Sequence, residues 1–443
     1  MTRLFGTDGI RGVANVDLHP KLAFDLGRAT AAQLAGHGSS ILVGQDTRRS
    51  GDMLAASVAA GAMSLGVNVH RLGVCPTPAL AHLTGSGPFK AGVMVSASHN
   101  PARDNGLKVV DERGMKLDDV VEDELETQLL RADEMASPEN DGIGCEINAR
   151  ALLDEYVEDR LVFARSFKTS VRVMVDAANG SACAVAGRIL EGTGATVDVR
   201  FCEPDGVNIN FECGATAPQA LARMVSAAKA DLGFALDGDA DRCVAVDERG
   251  EVVDGDQLIG IIALDRLSRN ALPQGIVVAS VLSNGGLEKV LTDAGGKLAR
   301  TPVGDKYILD GMMVMDAGLG GEKSGHVIIR DRANAGDGLV TALEILSIIA
   351  RTDKPLSELA RQIPLFPQQQ RTIHVRHKDQ WEADPTFARA VDEARRSLAG
   401  GGRILVRPSG TEPALRIMVE GEDADAIVAL ADSLSALAAE RLN

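Results

Sequence analysis

The sequence predicts an α/β protein of three related α/β domains followed by a smaller C-terminal α+β domain. Three observations carry this. The chain has 443 residues, well beyond what one hydrophobic core usually serves. A short apolar β-rich run, a polar Gly- or Asn-bearing loop and an Ala/Leu-rich helical stretch recur in that order three times. The pattern then changes after the Pro- and Gln-rich "IPLFPQQQ" (363–370).

The cycles open with "SILVGQDTRRSGD" (40–52), "VRVMVDAANGSA" (171–182) and "GIVVASVLSNGG" (275–286). Each has a second apolar run leading into a polar loop: "AGVMVSASHNP" (91–101), "ADLGFALDGDADR" (230–242) and "GMMVMDAGLGGEKSGH" (311–326). Alternating strand and helix signals of this kind indicate buried, largely parallel strands. The polar "ADEMASPENDGIG" (132–144) ends the first cycle, and a helix over 151–164 leads into the second. The expected domains are 1–148, 149–250, 251–366 and 367–443. In the last, "RTIHVRH" reads as a strand, "PTFARAVDEARRSLA" as a helix, "RILVR" and "ALRIMVE" as strands, and "DADAIVALADSLSALAAERL" as a closing helix. That β-α-β-β-α order describes a small α+β domain.

Composition narrows the function. The chain is 45% hydrophobic and 24% charged, ordinary for a globular protein. A net charge of −16 with acidic residues spread throughout argues against general nucleic-acid or anionic-membrane binding. An anionic small substrate is still open, because local arginines and a metal override the global sign. No apolar run approaches ~18 residues, and "MTRLFGTDGIRG" lacks the apolar centre of a signal peptide. The cysteines, Cys75, Cys145, Cys183, Cys202, Cys213 and Cys243, form no C-x-x-C pair. Reduced, mostly buried thiols are expected rather than a zinc site or a disulfide framework. The expected location is cytoplasmic, with no nucleic acid and no membrane as partner.

Ends of strands are where open α/β sheets place their chemistry, and several loops stand out. "DGDADR" sets Asp237, Asp239 and Asp241 at alternate positions after an apolar strand, which suits a hard divalent cation. It is not an EF-hand: Arg242 stands where that loop needs Gly, and strands flank it. A solvated turn is the bland alternative. "RPSGTEP" (407–413) combines a guanidinium, two hydroxyls and turn-forming residues, either a phosphate cradle or a hairpin turn. "GGEKSGH" (320–326) places Glu322, Ser324 and His326 on a Gly-rich loop, where a carboxylate and a hydroxyl can meet sugar hydroxyls. "FGTDGIRG" (5–12) carries Asp8 and Arg11. In "SASHNP" neither Ser96 nor Ser98 has the glycines of a hydrolase nucleophile elbow. A phosphorylatable serine fits better, since phosphoryl transfer needs positioning and charge neutralisation more than a strong base.

Together these loops resemble the α-D-phosphohexomutase superfamily, over essentially the whole chain and with one signature loop per domain in the family's order. "FGTDGIRG" and the "SGTEP" form of the last loop are most similar to the phosphoglucosamine mutase branch. The resemblance implies four domains around a central active-site cleft. It implies interconversion of glucosamine 6-phosphate and glucosamine 1-phosphate through a phosphoserine enzyme and a 1,6-bisphosphate, on the route to UDP-N-acetylglucosamine and bacterial cell-wall precursors. A phosphomannomutase or phosphoglucomutase of the same superfamily is the alternative.

By position in the motifs, the resemblance makes Ser98 the phosphoserine, with Ser96 supporting its loop. Asp237, Asp239 and Asp241 match ligands of Mg²⁺, which the Ser98 phosphate completes. Lys108 and Arg242 match residues around the transferring phosphoryl group. Lys108, His99 and His326 are candidates for the general base. Glu322 and Ser324 match the sugar contacts, with Arg11 and His326 completing the substrate set. Arg407, Ser409, Gly410 and Thr411 match the phosphate clamp. Lys323 stands where this branch usually carries Gln. The expected partners are a small-molecule sugar phosphate and a sugar 1,6-bisphosphate activator; a homodimer is one option the sequence leaves open.

Overall fold

The computed structural model describes residues 3–6, 8–398, 402–409 and 413–443. They form two compact units, Met1–Leu282 with Ala294–Gln362, and Ser283–Asp293 with Ile363–Asn443.

In the first unit one topology appears three times. Strands β1 (Ile10–Val13), β2 (Ser40–Gln45), β3 (Asn68–Val74), β4 (Ala91–Val95), β5 (Asp104–Asp111) and β6 (Glu146–Asn148) form a sheet of order β1-β5-β4-β2-β3-β6. Here β2 runs parallel to β3 and β4, and β5 returns antiparallel to β4. Strands β7 (Arg172–Asp176), β8 (Thr196–Arg200), β9 (Leu232–Leu236), β10 (Cys243–Asp247) and β11 (Val252–Val253) take the order β11-β10-β9-β7-β8. Again β7 is parallel to β8 and β9, and β10 returns antiparallel. Strands β12 (Ile276–Ser280), β13 (Lys297–Thr301), β14 (Leu319–Gly321) and β15 (Val327–Ile329) repeat it as β13-β12-β14-β15. In the repeats opened by β2, β7 and β12, the first strand lies between the second and third, and the fourth folds back as a hairpin. The apolar strands β4, β9 and β10 are buried along their whole length, as central strands covered by helices must be.

One element differs from expectation. The apolar run "GMMVM" ahead of the third loop closes the helix Asp305–Met315 and is not a strand. Met312 is fully buried while Val314 is 85% exposed, so the run follows a helical face, not a strand's alternation. Asp316, at φ 50°, ends the helix in the left-handed region. The strand that enters the loop is the short Leu319–Gly321.

The second unit is the small α+β domain. Strands β16 (Gln368–His374), β17 (Arg403–Pro408) and β18 (Ala414–Glu420) form an antiparallel sheet of order β16-β18-β17. The helices Pro385–Ser397 and Ala424–Arg441 cover it around Phe387, Val391, Leu415 and Leu434. The helix Gly285–Asp293 belongs to this unit: Gly285 N donates to buried Glu420 Oε1 at 3.0 Å, and Asn284 and Phe366 exchange hydrogen bonds of 2.9 Å. Among the described residues no helix is long and apolar enough to cross a membrane. Of the six cysteines, Cys75, Cys213 and Cys243 are buried, fewer than expected.

Candidate active site

The signature loops of the first unit occupy one topological place, the turn from the third strand of each repeat into its antiparallel return. In the first sheet this is the β4–β5 turn, which carries Ser98. Its backbone sits at φ 52°, a region a serine enters only when its surroundings hold it there. The holders are visible. Arg48, whose side chain is fully buried, donates from Nη2 to Ser98 O at 3.0 Å and to Asn100 O at 2.8 Å, and from Nη1 to Asp104 O at 3.0 Å and to Pro101 O. Asn210 Nδ2, from the second domain, donates to the same two carbonyls, Ser98 O at 2.8 Å and Asn100 O at 3.1 Å. Asp46 accepts from Arg48 Nε at 2.8 Å and from Ser96 Oγ at 2.7 Å, and Ser96 Oγ accepts from Ser98 N at 2.9 Å.

The β9–β10 turn brings its three aspartates against this loop. Ser98 Oγ donates to Asp237 Oδ2 at 2.6 Å and lies 3.2 Å from His99 Nδ1. Gly238 allows the approach: a Cβ there would stand 2.7 Å from Ser98 O. One oxygen from each of Asp237, Asp239 and Asp241 lies within 4.8 Å of the others, and all three residues are buried. Asp239 Oδ1 and Asp241 Oδ1 have no hydrogen-bond partner among the described residues. Buried carboxylate oxygens are costly in that state, and an all-oxygen set suits a hard cation. The residues fit a metal ion.

Cations and supporting donors surround the aspartates. Lys108 Nζ reaches Asp239 at 2.9 Å, Asp8 at 3.2 Å and Asp241 at 3.5 Å. Burial alone would lower its pKa, but these carboxylates outweigh it and hold the ammonium well above its ordinary range. Thr77 Oγ1 donates to Asp239 Oδ2 at 2.6 Å, and Thr77 N to Asp239 O at 2.9 Å. Burial pushes the Asp237 carboxyl well up, and its two acidic neighbours add to the rise. Burial acts on Asp241 in the same sense, yet Lys108, His326 and Arg242 hold it well below the usual carboxylate range. Burial, with Arg242 and Arg11 beside it, lowers His99 to about 4.

The third loop joins the second through backbone. Arg242 pairs with His326 in an isolated antiparallel bridge, and Cys243 N donates to Gly325 O at 3.0 Å. His326 sits 3.7 Å from both Asp241 and Asp305; burial opposes its charge, but the two carboxylates raise its pKa. Glu322 Oε1 accepts from Gly304 N at 3.1 Å, while Ser324 Oγ is buried without a partner among the described residues. Lys323 Nζ stands 3.9 Å from Asp254. Arg11 Nη1 donates to Asn100 Oδ1 at 3.1 Å and pairs with Asp8. In the second unit Arg407 lies on β17, and Ser409 is buried with its N–H on Ala414 O at 2.8 Å. Gly410 and Thr411 lie outside the described residues.

Four domain families match in chain order. They are phosphoglucomutase/phosphomannomutase alpha/beta/alpha domain I over residues 2–136, domain II over 153–250, domain III over 254–366, and the C-terminal domain over 373–437. The chain belongs to the phosphoglucomutase/phosphomannomutase family. Among its relatives, a phosphoglucosamine mutase of Moorella thermoacetica is 48% identical, covering 96% of each chain, and one of Symbiobacterium thermophilum is 47% identical over 98% of each. A phosphoglucomutase/phosphomannomutase family protein of Burkholderia thailandensis superposes with TM-score 0.83 at 26% identity, covering 100% of this chain and 99% of its own. The N-acetylphosphoglucosamine mutase of Aspergillus fumigatus, solved with GlcNAc-6P and magnesium, shares the fold with TM-score 0.68 at 19% identity, covering 100% and 96%.

Within this family member, the structure brings Ser98, His99, Lys108, Asp237, Asp239, Asp241, Arg242 and His326 into one cluster. It adds residues that sequence reading did not single out: Arg48, Asp46, Thr77 and Asn210, which shape the reacting loops, and Lys116, which pairs with both Asp8 and Asp305.

Proposed function

We propose that this chain is an isomerase interconverting glucosamine 6-phosphate and glucosamine 1-phosphate through phosphorylated Ser98 and a 1,6-bisphosphate. One observation carries the reading: a buried serine hydroxyl, held by its loop in a left-handed backbone, points at Asp237 within a set of three metal-competent carboxylates. The name shared by the relatives at 47–48% identity supports the amino sugar as substrate.

In this mechanism Asp237, Asp239 and Asp241, with a phosphate oxygen on Ser98, would hold Mg²⁺. The ion neutralises charge on the transferring phosphoryl group. The Ser98 Oγ–P bond breaks as the free hydroxyl of the bound monophosphate forms its own bond to phosphorus; that hydroxyl gives up its proton, and Ser98 Oγ takes one up as it leaves. The bisphosphate then reorients and returns its other phosphate to Ser98, so a sugar 1,6-bisphosphate also serves as activator. Lys108, kept protonated, and Arg242 stabilise the charge that develops. Of the three base candidates, Lys108 and His326 are held towards their charged forms, whereas His99 is kept neutral beside Ser98 Oγ. We assign the proton at that atom to His99. Glu322 and the unpartnered Ser324 hydroxyl are assigned to the sugar, with Arg11 and His326 at the substrate's edge. Arg407, Ser409, Gly410 and Thr411 are assigned to the phosphate that is not reacting. The unpaired thiols suit the cytoplasm, a reducing compartment.

The test is kcat/KM for glucosamine, glucose and mannose 6-phosphates with Mg²⁺ and trace sugar bisphosphate. The amino sugar should lead by about a hundredfold, roughly 2.7 kcal/mol of transition-state preference. Equal rates with glucose or mannose phosphate would remove the named substrate. Release of inorganic phosphate without isomer would remove the mutase reading altogether.

A further inference from the structure

We propose that Cys183 and Cys202 are a redox-sensitive pair, which a hydroperoxide joins in a reversible disulfide that slows turnover. The two thiols close neighbouring segments at the ends of parallel strands. Cys183 lies in the short turn Ser181–Ala184 after β7, and Cys202 follows β8 directly. At these ends Asp176 pairs with Arg200, and Asn179 N donates to Phe201 O at 2.6 Å. Cys183 Sγ lies 3.9 Å from that same Phe201 carbonyl, one residue before Cys202, and the Cys202 thiol is among the neighbours that push the Cys183 thiol up. Both are partly exposed, within reach of a small oxidant, whereas Cys75, Cys213 and Cys243 are buried.

The chemistry balances with the hydroperoxide as sole oxidant. Burial and the neighbouring thiol push Cys183 up, so Cys183 is the sulfur that keeps its proton and Cys202 is the one that attacks the hydroperoxide. Its S–O bond forms as the O–O bond breaks, giving a sulfenic acid and an alcohol or water. Cys183 sulfur then displaces the sulfenic hydroxyl, which leaves as water with the Cys183 proton. Two thiols are oxidised and one hydroperoxide is reduced. A thiol pays back the bond by exchange.

The position of the pair makes the bond consequential. Two residues before Cys183, Ser181 N donates to Gly238 O at 2.9 Å, inside the aspartate loop. A Cβ on Gly180 would stand 2.4 Å from that carbonyl, so the segment is seated against the loop with no slack. Eight residues after Cys202, on the loop it begins, Asn210 clamps Ser98 O and Asn100 O. Phe201, immediately before Cys202, already sits at φ 48°. Drawing the two sulfurs to about 2.0 Å therefore pulls the support of the aspartates towards the support of Ser98. The bond itself is independent of the reaction assigned above; its effect on turnover rests on that reading.

The experiment treats the full chain, and its C183S and C202S variants, with hydrogen peroxide. Non-reducing peptide maps are read with fragmentation that separates Cys202 from Cys213, and mutase turnover is measured before and after dithiothreitol. The expected result is one Cys183–Cys202 link in the wild type and a fall in turnover of about ten- to a hundredfold, since shifts of about 1 Å are this costly. Dithiothreitol should restore it, and both variants, active when reduced, should keep their rate under peroxide. No such link, or a link through Cys213, overturns the pair. A link that leaves turnover unchanged, or a loss shared by both variants, overturns the switch. Absence of mutase turnover in the untreated protein counts against the assigned reaction, and the peptide map still decides the pair.

Discussion

Asp46 and Asp176 stand at the same place in two domains, the carboxyl end of the central first strand, and are supported differently. Each accepts from the backbone N–H two residues on, Arg48 N and Ala178 N, both at 2.9 Å. In the third domain Ser280 Oγ takes this role, accepting from Leu282 N at 3.3 Å. Asp46 then adds the buried Arg48 guanidinium and the Ser96 hydroxyl. Asp176 adds only Gly214 N, at 2.7 Å, and has no cation partner among the described residues. Burial raises both carboxyls; Arg48 checks the rise at Asp46, while Asp176 climbs to about 6. Domain one uses a cation to fix the backbone of the loop that holds Ser98. Domain two fixes the equivalent turn with peptide donors alone, and the cations at its aspartate loop are Lys108, from domain one, and its own Arg242.

The strongest way to break this contrast removes what the domain-one scaffold holds. Ser98→Ala should lower turnover by at least about a thousandfold while leaving Mg²⁺ affinity, read by isothermal titration, within a few-fold of that of the unphosphorylated wild type. Normal turnover in this variant would show that the Arg48 clamp serves no reacting group.

A smaller effect is expected from the clamp itself. Arg48→Met leaves Asp46 buried without its cation and takes a donor from four loop carbonyls, two of which keep Asn210, at a cost of about 3–5 kcal/mol. In the protein that still folds at low temperature, kcat should fall by about a hundredfold with KM nearly constant, because Ser98 is misplaced and not the sugar. Arg48→Lys should recover little, since an ammonium cannot span Asp46 and the carbonyls together. A change confined to KM, or full recovery with lysine, would make Arg48 a generic buried charge.

These two variants also mark how far the sequence could be read. The reacting loops were legible because their chemistry is contiguous: alternating aspartates after an apolar strand, or Glu322 and Ser324 two apart, declare themselves locally. The residues that shape those loops act across the chain. Arg48 reaches Ser98 O over 50 positions, Asn210 over 112, and Thr77 reaches Asp239 over 162. Each binds backbone or a single carboxylate oxygen, so its own neighbours in sequence carry no trace of the contact. The fold followed the same division. Three cycles were visible from buried strands, but β14, with Leu319 its one large apolar side chain, offered no pattern, and the helical end "GMMVM" took its place because short apolar runs have no decisive period.

The mildest prediction sharpens the comparison through pH. Asp176 has a folded pKa of about 6 against an ordinary 3.8, so the folded state binds the extra proton between these values. Its contribution to stability is fully present below about pH 4 and is lost as pH rises through about 6, by roughly 3 kcal/mol at about 1.4 kcal/mol per unit. Asp176→Asn removes the titration. The wild-type melting midpoint, taken relative to this variant, should therefore fall by about 2 °C between about pH 4.5 and about pH 7 and stay level above that. The Asp46 end offers the control, since Arg48 opposes the same proton there and its variant should show a shallower slope. A difference that rises with pH would mean that Asp176 is charged throughout and stabilised by a cation. Domain two would then be built like domain one at this position.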